Sequence, residues 1–169
     1  MKMRKLVCGA LLTATIVLSG VSAMAAKPAK SLNSKKFDAL ATAAIDAMKQ
    51  KAAELNIQGV AVVSYTPGDN IQGWSSKMAV VGRMTDPKAS ANGNNLLGIA
   101  YAKSAEMART LKDSGTAGGA PMTGEFGWQG GVVLKTSGGY VIVAFSGGKS
   151  EDDVQVSNAG LEVMKKGLL

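Results

Sequence analysis

Residues 146–153 read SGGKSEDD, an apolar run ending in paired glycines, a lysine, a serine and three acids. Gly148-Lys149-Ser150 imitates the end of a P-loop, whose backbone N–H groups cradle phosphate while a lysine reaches it. That motif also needs a glycine five positions before its last one, and Val143 stands there. Glu151, Asp152 and Asp153 occupy the first helical turn, where a bound phosphate would lie. Carboxylates there satisfy the helix dipole themselves and repel a second anion. Nucleotide binding is excluded on both counts. The stretch reads instead as a hairpin running into a capped helix. Gly138-Gly139 supply positive φ for the turn, Gly147-Gly148 bend the chain, Ser150 caps the helix, and Asp153 is its capping-box partner.

Other chemistries are narrowed by what the chain lacks. It has no histidine, and its one cysteine is Cys8. Beyond residue 25 there is therefore no thiol nucleophile, no Ser-His or Cys-His couple, and no Cys/His metal site. Asp86, Glu106 and Glu125 lie on or near loops, but a carboxylate does acid–base work only when pairing or burial shifts it. They read as solvated, and no enzyme is expected. A cleft holding a buried Glu106 or Glu125 would reopen that question. Met48 and Met164 fall on helix stripes and read as core, whereas Met84, Met107 and Met122 are placed to line a cavity.

The elements that must position these groups follow an N-terminal segment of a different kind. Lys2, Arg4 and Lys5 precede the apolar run Leu6–Ser19, and Ala23-Met24-Ala25 has the small residues of a cleavage site. Residues 1–25 read as an export signal, too short to span a membrane, and 26–33 as a flexible leader. Periplasmic or secreted localisation is expected. Removing three cations leaves 16 Lys/Arg against 12 Asp/Glu, a net +4. These charges are scattered, so neither nucleic acid nor a membrane surface is an expected partner.

Residues 34–169 read as one domain. Phe37, Leu40, Ala41, Ala44, Met48, Ala52 and Leu55 predict a helix over 35–55, with Ser34 as its cap. A strand over 60–65, closed by Thr66-Pro67-Gly68-Asp69, and a returning strand over 78–84 follow. A second helix is predicted over 95–112, with Leu97, Tyr101, Ser104, Ala108 and Leu111 facing the sheet. Residues 114–127, SGTAGGAPMTGEFG, form a long Gly-rich loop, either a binding loop or a mobile one. Strands 131–135 and 140–145 form the hairpin, and a last helix over 151–167 buries Val154, Leu161, Met164 and Leu168. The order predicts an α+β domain, an antiparallel sheet of four or five strands with helices packed on it.

GVAVVSYTPG (59–68), VVGRM (80–84), IAYAKSAEMAR (99–109) and GGVVLKTSGGYVIVAFSGGKSEDDVQVSNAGL (130–161) together resemble the GlcG/HbpS-like haem-binding family. That domain also occurs at the C-terminus of some cobalamin adenosyltransferases. The resemblance implies a profilin-like α/β/α sandwich, a homo-oligomer and haem or a related tetrapyrrole as ligand. It places Arg83, Met84, Lys103 and Ser104 at the site, to which the reading of the methionines above adds Met107 and Met122 as ligand-binding candidates. Arg83 or Lys103 would pair the propionates. Three departures stand out: no histidine for the iron, a short Gly-rich connection before the third strand, and Val133 at the family's proline position. The expected function is an exported small-ligand-binding protein. The alternative is a non-catalytic oligomeric module with an envelope protein partner.

Overall fold

The computed structural model describes residues 32–168; the expected signal and most of the leader lie outside the described residues. Helix α1 spans Ser34–Glu54 and is followed by strands β1 (Gly59–Pro67) and β2 (Ser75–Val81). Two short strands, β3 (Thr85–Asp86) and β4 (Asn94–Asn95), precede α2 (Leu96–Thr110). Then come β5 (Gly131–Thr136), β6 (Gly139–Ser146) and α3 (Ser150–Leu168). The main sheet has the order β2-β1-β6-β5 and every pairing is antiparallel, as the α+β expectation requires. β3 and β4 pair separately, inside what reads as plain loop in the sequence.

Alternation along the strands assigns the two faces. Ala61, Val63, Tyr65, Val141, Val143 and Phe145 point to a core closed by α1 and α3. Val60, Val62, Ile142 and Ala144 point the other way, against Leu96, Ala100 and Met107 of α2. β6 is buried along its whole length, which explains its unbroken apolar run. Each large apolar side chain enclosed here contributes roughly 1.5–3 kcal/mol of transfer free energy.

Several local expectations shift. α1 is capped by Asn33, whose Oδ1 accepts the Lys36 N–H at 2.9 Å, one residue before Ser34. β2 ends at Val81 because Gly82 turns with φ +81°, so Arg83 and Met84 lie beyond the strand. The deep face of α2 is Leu96, Ile99, Ala100, Lys103 and Met107, while Leu111 is exposed at the left-handed C-cap. An Ala-rich helix carries apolar residues all round, so periodicity picks its buried face poorly. In α3 the stripe is Asp153, Val156, Ser157, Gly160 and Met164.

The glycines of the hairpin serve close approach more than turn geometry. Gly138 has no positive φ; Gly139 does, at +150°, and a Cβ there would sit 1.9 Å from the Thr66 carbonyl oxygen of β1. Gly139→Ala is therefore expected to destabilise the fold by about 1–3 kcal/mol. Gly73→Ala, where an added Cβ meets nothing, is expected to stay within about 0.5 kcal/mol of the parent. Urea midpoints at unchanged slope measure both.

Candidate functional site

Lys103 and Asp153, fifty residues apart in sequence, meet inside the protein at one end of the sheet. Lys103 Nζ donates to Asp153 Oδ2 and to the Phe145 carbonyl oxygen, each at 2.8 Å. The side chains are only 3% and 4% exposed. Asp153 Oδ1 accepts the Gly148 N–H at 2.8 Å. Ser157 Oγ donates to the Gly130 carbonyl oxygen at 2.7 Å, and that oxygen also accepts the Phe145 N–H. One polar node thus ties α2, the end of β6, the start of α3 and the approach to β5. Gly130 roofs it: a Cβ there would lie 2.2 Å from Lys103 Nζ. Burial pushes the Lys103 ammonium below its usual range against the pull of Asp153. Burial likewise pushes the Asp153 carboxyl up against the pull of Lys103 and the backbone N–H groups. Desolvation is the largest influence on both partners, so their mutual attraction is offset by the cost of burying both charges.

The capping scheme differs accordingly. α3 begins at Ser150 itself, and Asp153 reaches back past it to Gly148. The acid fills the place an anion would take at the helix start, in keeping with the failed P-loop pattern.

A cleft of about 120 Å³ opens over this node, walled by Asp86, Asn94, Trp128, Gln129 and Ser150, with the ion pair at its base. Arg83 stands beside it: Nη2 donates to the Gly147 carbonyl oxygen at 3.2 Å and meets Asp86 Oδ2 at 2.8 Å. Its Nε is buried without a partner among the described residues. A shallower groove of about 410 Å³, bordered by Met84, Pro87, Asn92 and Leu97, shares Asp86 and Asn94 with the first.

The six residues expected to bind ligand do not converge. Lys103 reaches the first cleft, but two of its donors are already engaged within the fold. Met84 borders the second groove; Arg83 lines neither but is paired to Asp86, which lines both. Ser104 is buried and donates to the Ala100 carbonyl oxygen at 3.0 Å. Met107 is wholly enclosed in the α2 core beneath Gly131. Met122 is exposed on the 114–127 loop. Ser104 is buried on the side its sequence stripe suggests, whereas Met107 is drawn into the core because the buried face of α2 extends beyond that stripe. Trp128 and Gln129 escape sequence reading because they sit in a connection with no motif around them, and Asn94 because a two-residue strand carries no pattern.

The carboxylates form a second cluster. Glu106 is buried, and its Oε1 accepts the Gly115 N–H at 2.8 Å. Glu125 takes a bidentate hold from Arg109, at 2.6 and 2.8 Å, and also accepts the Met122 N–H. Both line a cleft of about 150 Å³ under the glycines of the loop. Hydrogen bonds from Arg109, then the Met122 N–H, hold Glu125 below its ordinary value near 4.5. It stays ionised at neutral pH and serves as the loop's anchor. At the end of the loop Phe126 and Trp128 stack, with ring centroids 4.9 Å apart. Among the described residues no group of three or more His, Cys, Asp or Glu could hold a metal ion. No helix among them is long and apolar enough to cross a membrane.

No family model matches the chain, and no curated protein is similar to it. A solved structure of similar fold is the crystal structure of Klebsiella pneumoniae protein ORFY, of the family DUF336, which is related to GlcG. It has a TM-score of 0.53 and 16% identity, over 75% of this chain and 88% of that one. Likeness at this identity concerns the fold.

Two outcomes follow from the site. Lys103→Met strands a buried carboxylate and is expected to cost about 3–5 kcal/mol, whereas Lys103→Met with Asp153→Leu is expected to recover most of it. Thermal or urea unfolding of the three proteins decides this. Glu125 is favoured in its ionised form when folded, so its contribution is present above about pH 4.5 and lost as pH falls through its lowered value. Acid is therefore expected to free the loop, raising proteolysis within 114–127 and changing Trp128 emission. Arg109→Ala is expected to produce the same signs at neutral pH.

Proposed function

We propose that this chain is a non-catalytic binding protein whose ligand lies across the paired clefts around Arg83, Met84, Asp86 and Asn94. The observation that carries the reading is the junction itself. A groove within the usual size range of ligand sites adjoins a polar cleft, and a guanidinium is paired to Asp86, which lines both. Haem or a related tetrapyrrole is the leading candidate, on the strength of the family resemblance and of a fold neighbour in a GlcG-related family.

The residues fit such a group at the surface and on one side. An enclosed haem between two buried axial ligands does not fit, because Met107 is core and Lys103 is committed to Asp153. Met84 offers a half-exposed thioether on the groove, a soft donor of a kind iron accepts in place of imidazole. Arg83 offers a guanidinium to a propionate, shared with Asp86. A bound haem would supply a Lewis-acidic iron and two carboxylates; the chain's own part is to orient the ring edge and screen one face. Export to the periplasm or medium belongs to the same proposal and rests on the N-terminal sequence.

A second reading rests on Glu106, a buried carboxylate in the cleft beneath the 114–127 loop. Acid–base catalysis there is the weaker alternative, because Glu106 already accepts a loop N–H and Glu125 is locked to Arg109. An oligomeric interaction module remains the third.

Hemin titration of the purified protein tests the first reading. A Soret shift that saturates is expected, with affinity reduced about tenfold or more in Met84→Ala and in Arg83→Ala. No shift, or one indifferent to both substitutions, removes haem from the proposal.

A further inference from the structure

The two edges of the main sheet are treated very differently. At the start of the β5 edge the outward groups of Gly131 and the Val133 N–H are used. Ser114 N–H donates to the Gly131 carbonyl oxygen at 3.1 Å, and Val133 N–H donates to Asp113 Oδ1 at 2.8 Å. Gly131 N–H donates to Ser114 Oγ at 2.8 Å. Strand register then carries this parity across the sheet. With Gly131 and Val133 facing outward, Val143 faces β5, Ala144 and Ile142 face β1, and Ala61 and Val63 face β2. Their partners Ala79 and Lys77 face β1, so the backbone groups of Ser76, Met78 and Val80 point out of the sheet. Among the described residues nothing bonds to them.

An open edge invites another strand unless it is guarded by proline, a bulge or an exposed charge. β2, SSKMAVV, has no proline, and its register with β1 runs unbroken over seven pairs. Its single charge, Lys77, is bound to Asp38 of α1. The side chains that share the open edge are Met78 and Val80, and Val80 is 46% exposed.

We propose that β2 is the contact between two copies of this chain, paired antiparallel about a two-fold axis through Met78. That register sets Ser76 opposite Val80 of the second copy and Met78 opposite itself. Three outward-facing residues then meet three, for about six hydrogen bonds. Lys77 faces Ala79 of the second copy, so no like charges oppose. The sequence around Met78 is thus self-complementary in backbone parity and charge, as an isologous contact requires. The two sheets join into one of eight strands, and the ligand clefts stay outside the contact.

Light scattering on the eluting protein tests this, with Val80→Pro as the main variant. Proline there removes one outward donor and leaves the β1 ladder intact. A dimer at micromolar concentration is expected, weakened at least tenfold by Val80→Pro and also by Val80→Lys, with native circular dichroism in both. The second variant decides if the first does not fold. Met78→Cys, in a Cys8→Ala background, is expected to cross-link under mild oxidation, because facing residues of such a pair lie about 5.5 Å apart, inside disulfide reach. A monomer at high concentration overturns the proposal. So does an oligomer that neither Val80 substitution weakens and Met78→Cys does not trap, as does a monomer that instead captures an extended peptide on this edge.

Discussion

Burying a lysine and an aspartate in the same spot is the constraint around which the rest of this molecule is arranged. Neither charge could be enclosed alone, since the desolvation of either is worth several kcal/mol (roughly, after relaxation). Enclosing both forces α2 and α3, which lie on opposite faces of the sheet, to meet around its end. The Phe145 carbonyl and the Gly148 N–H supply the remaining hydrogen bonds, and Gly130 must be glycine for its backbone to close over the ammonium. The corner between β6 and α3 is accordingly a product of the ion pair as much as of its glycines.

The same node determines where open space can be. With Lys103 and Asp153 satisfying each other, the cleft above them is polar at its base but carries no spare strong acid or base. What remains available lies at the rim: Asn94, Gln129 and the indole of Trp128. Such a site is suited to holding a molecule by edges and faces. The Glu106 and Glu125 cluster follows the same logic, its charges and hydrogen bonds absorbed in holding the loop to α2.

Much of the architecture is legible in the sequence. Apolar runs at 60–63 and 141–145 mark the two central strands, and turn residues between neighbours argue for antiparallel pairing. Less was legible in α2, where alanines blur the apolar stripe and the deepest residues include a lysine and a glutamate. Hydropathy places both of these outside. Asp153 shows the same failure: as one of three acids in a first turn it reads as a cap, yet it alone of the three is buried. The short β3–β4 pair is invisible because two-residue strands carry no periodicity.

By itself the sequence determined the element order, the antiparallel α+β class and the absence of imidazole and thiol chemistry beyond residue 25. These depend on local pattern and on composition, which need no knowledge of neighbours. Tertiary structure alone decided which charges are enclosed, which methionine meets a groove, and which sheet edge is sealed. Those outcomes depend on partners brought together from distant parts of the chain, and burial of a charge is settled by its partner in space.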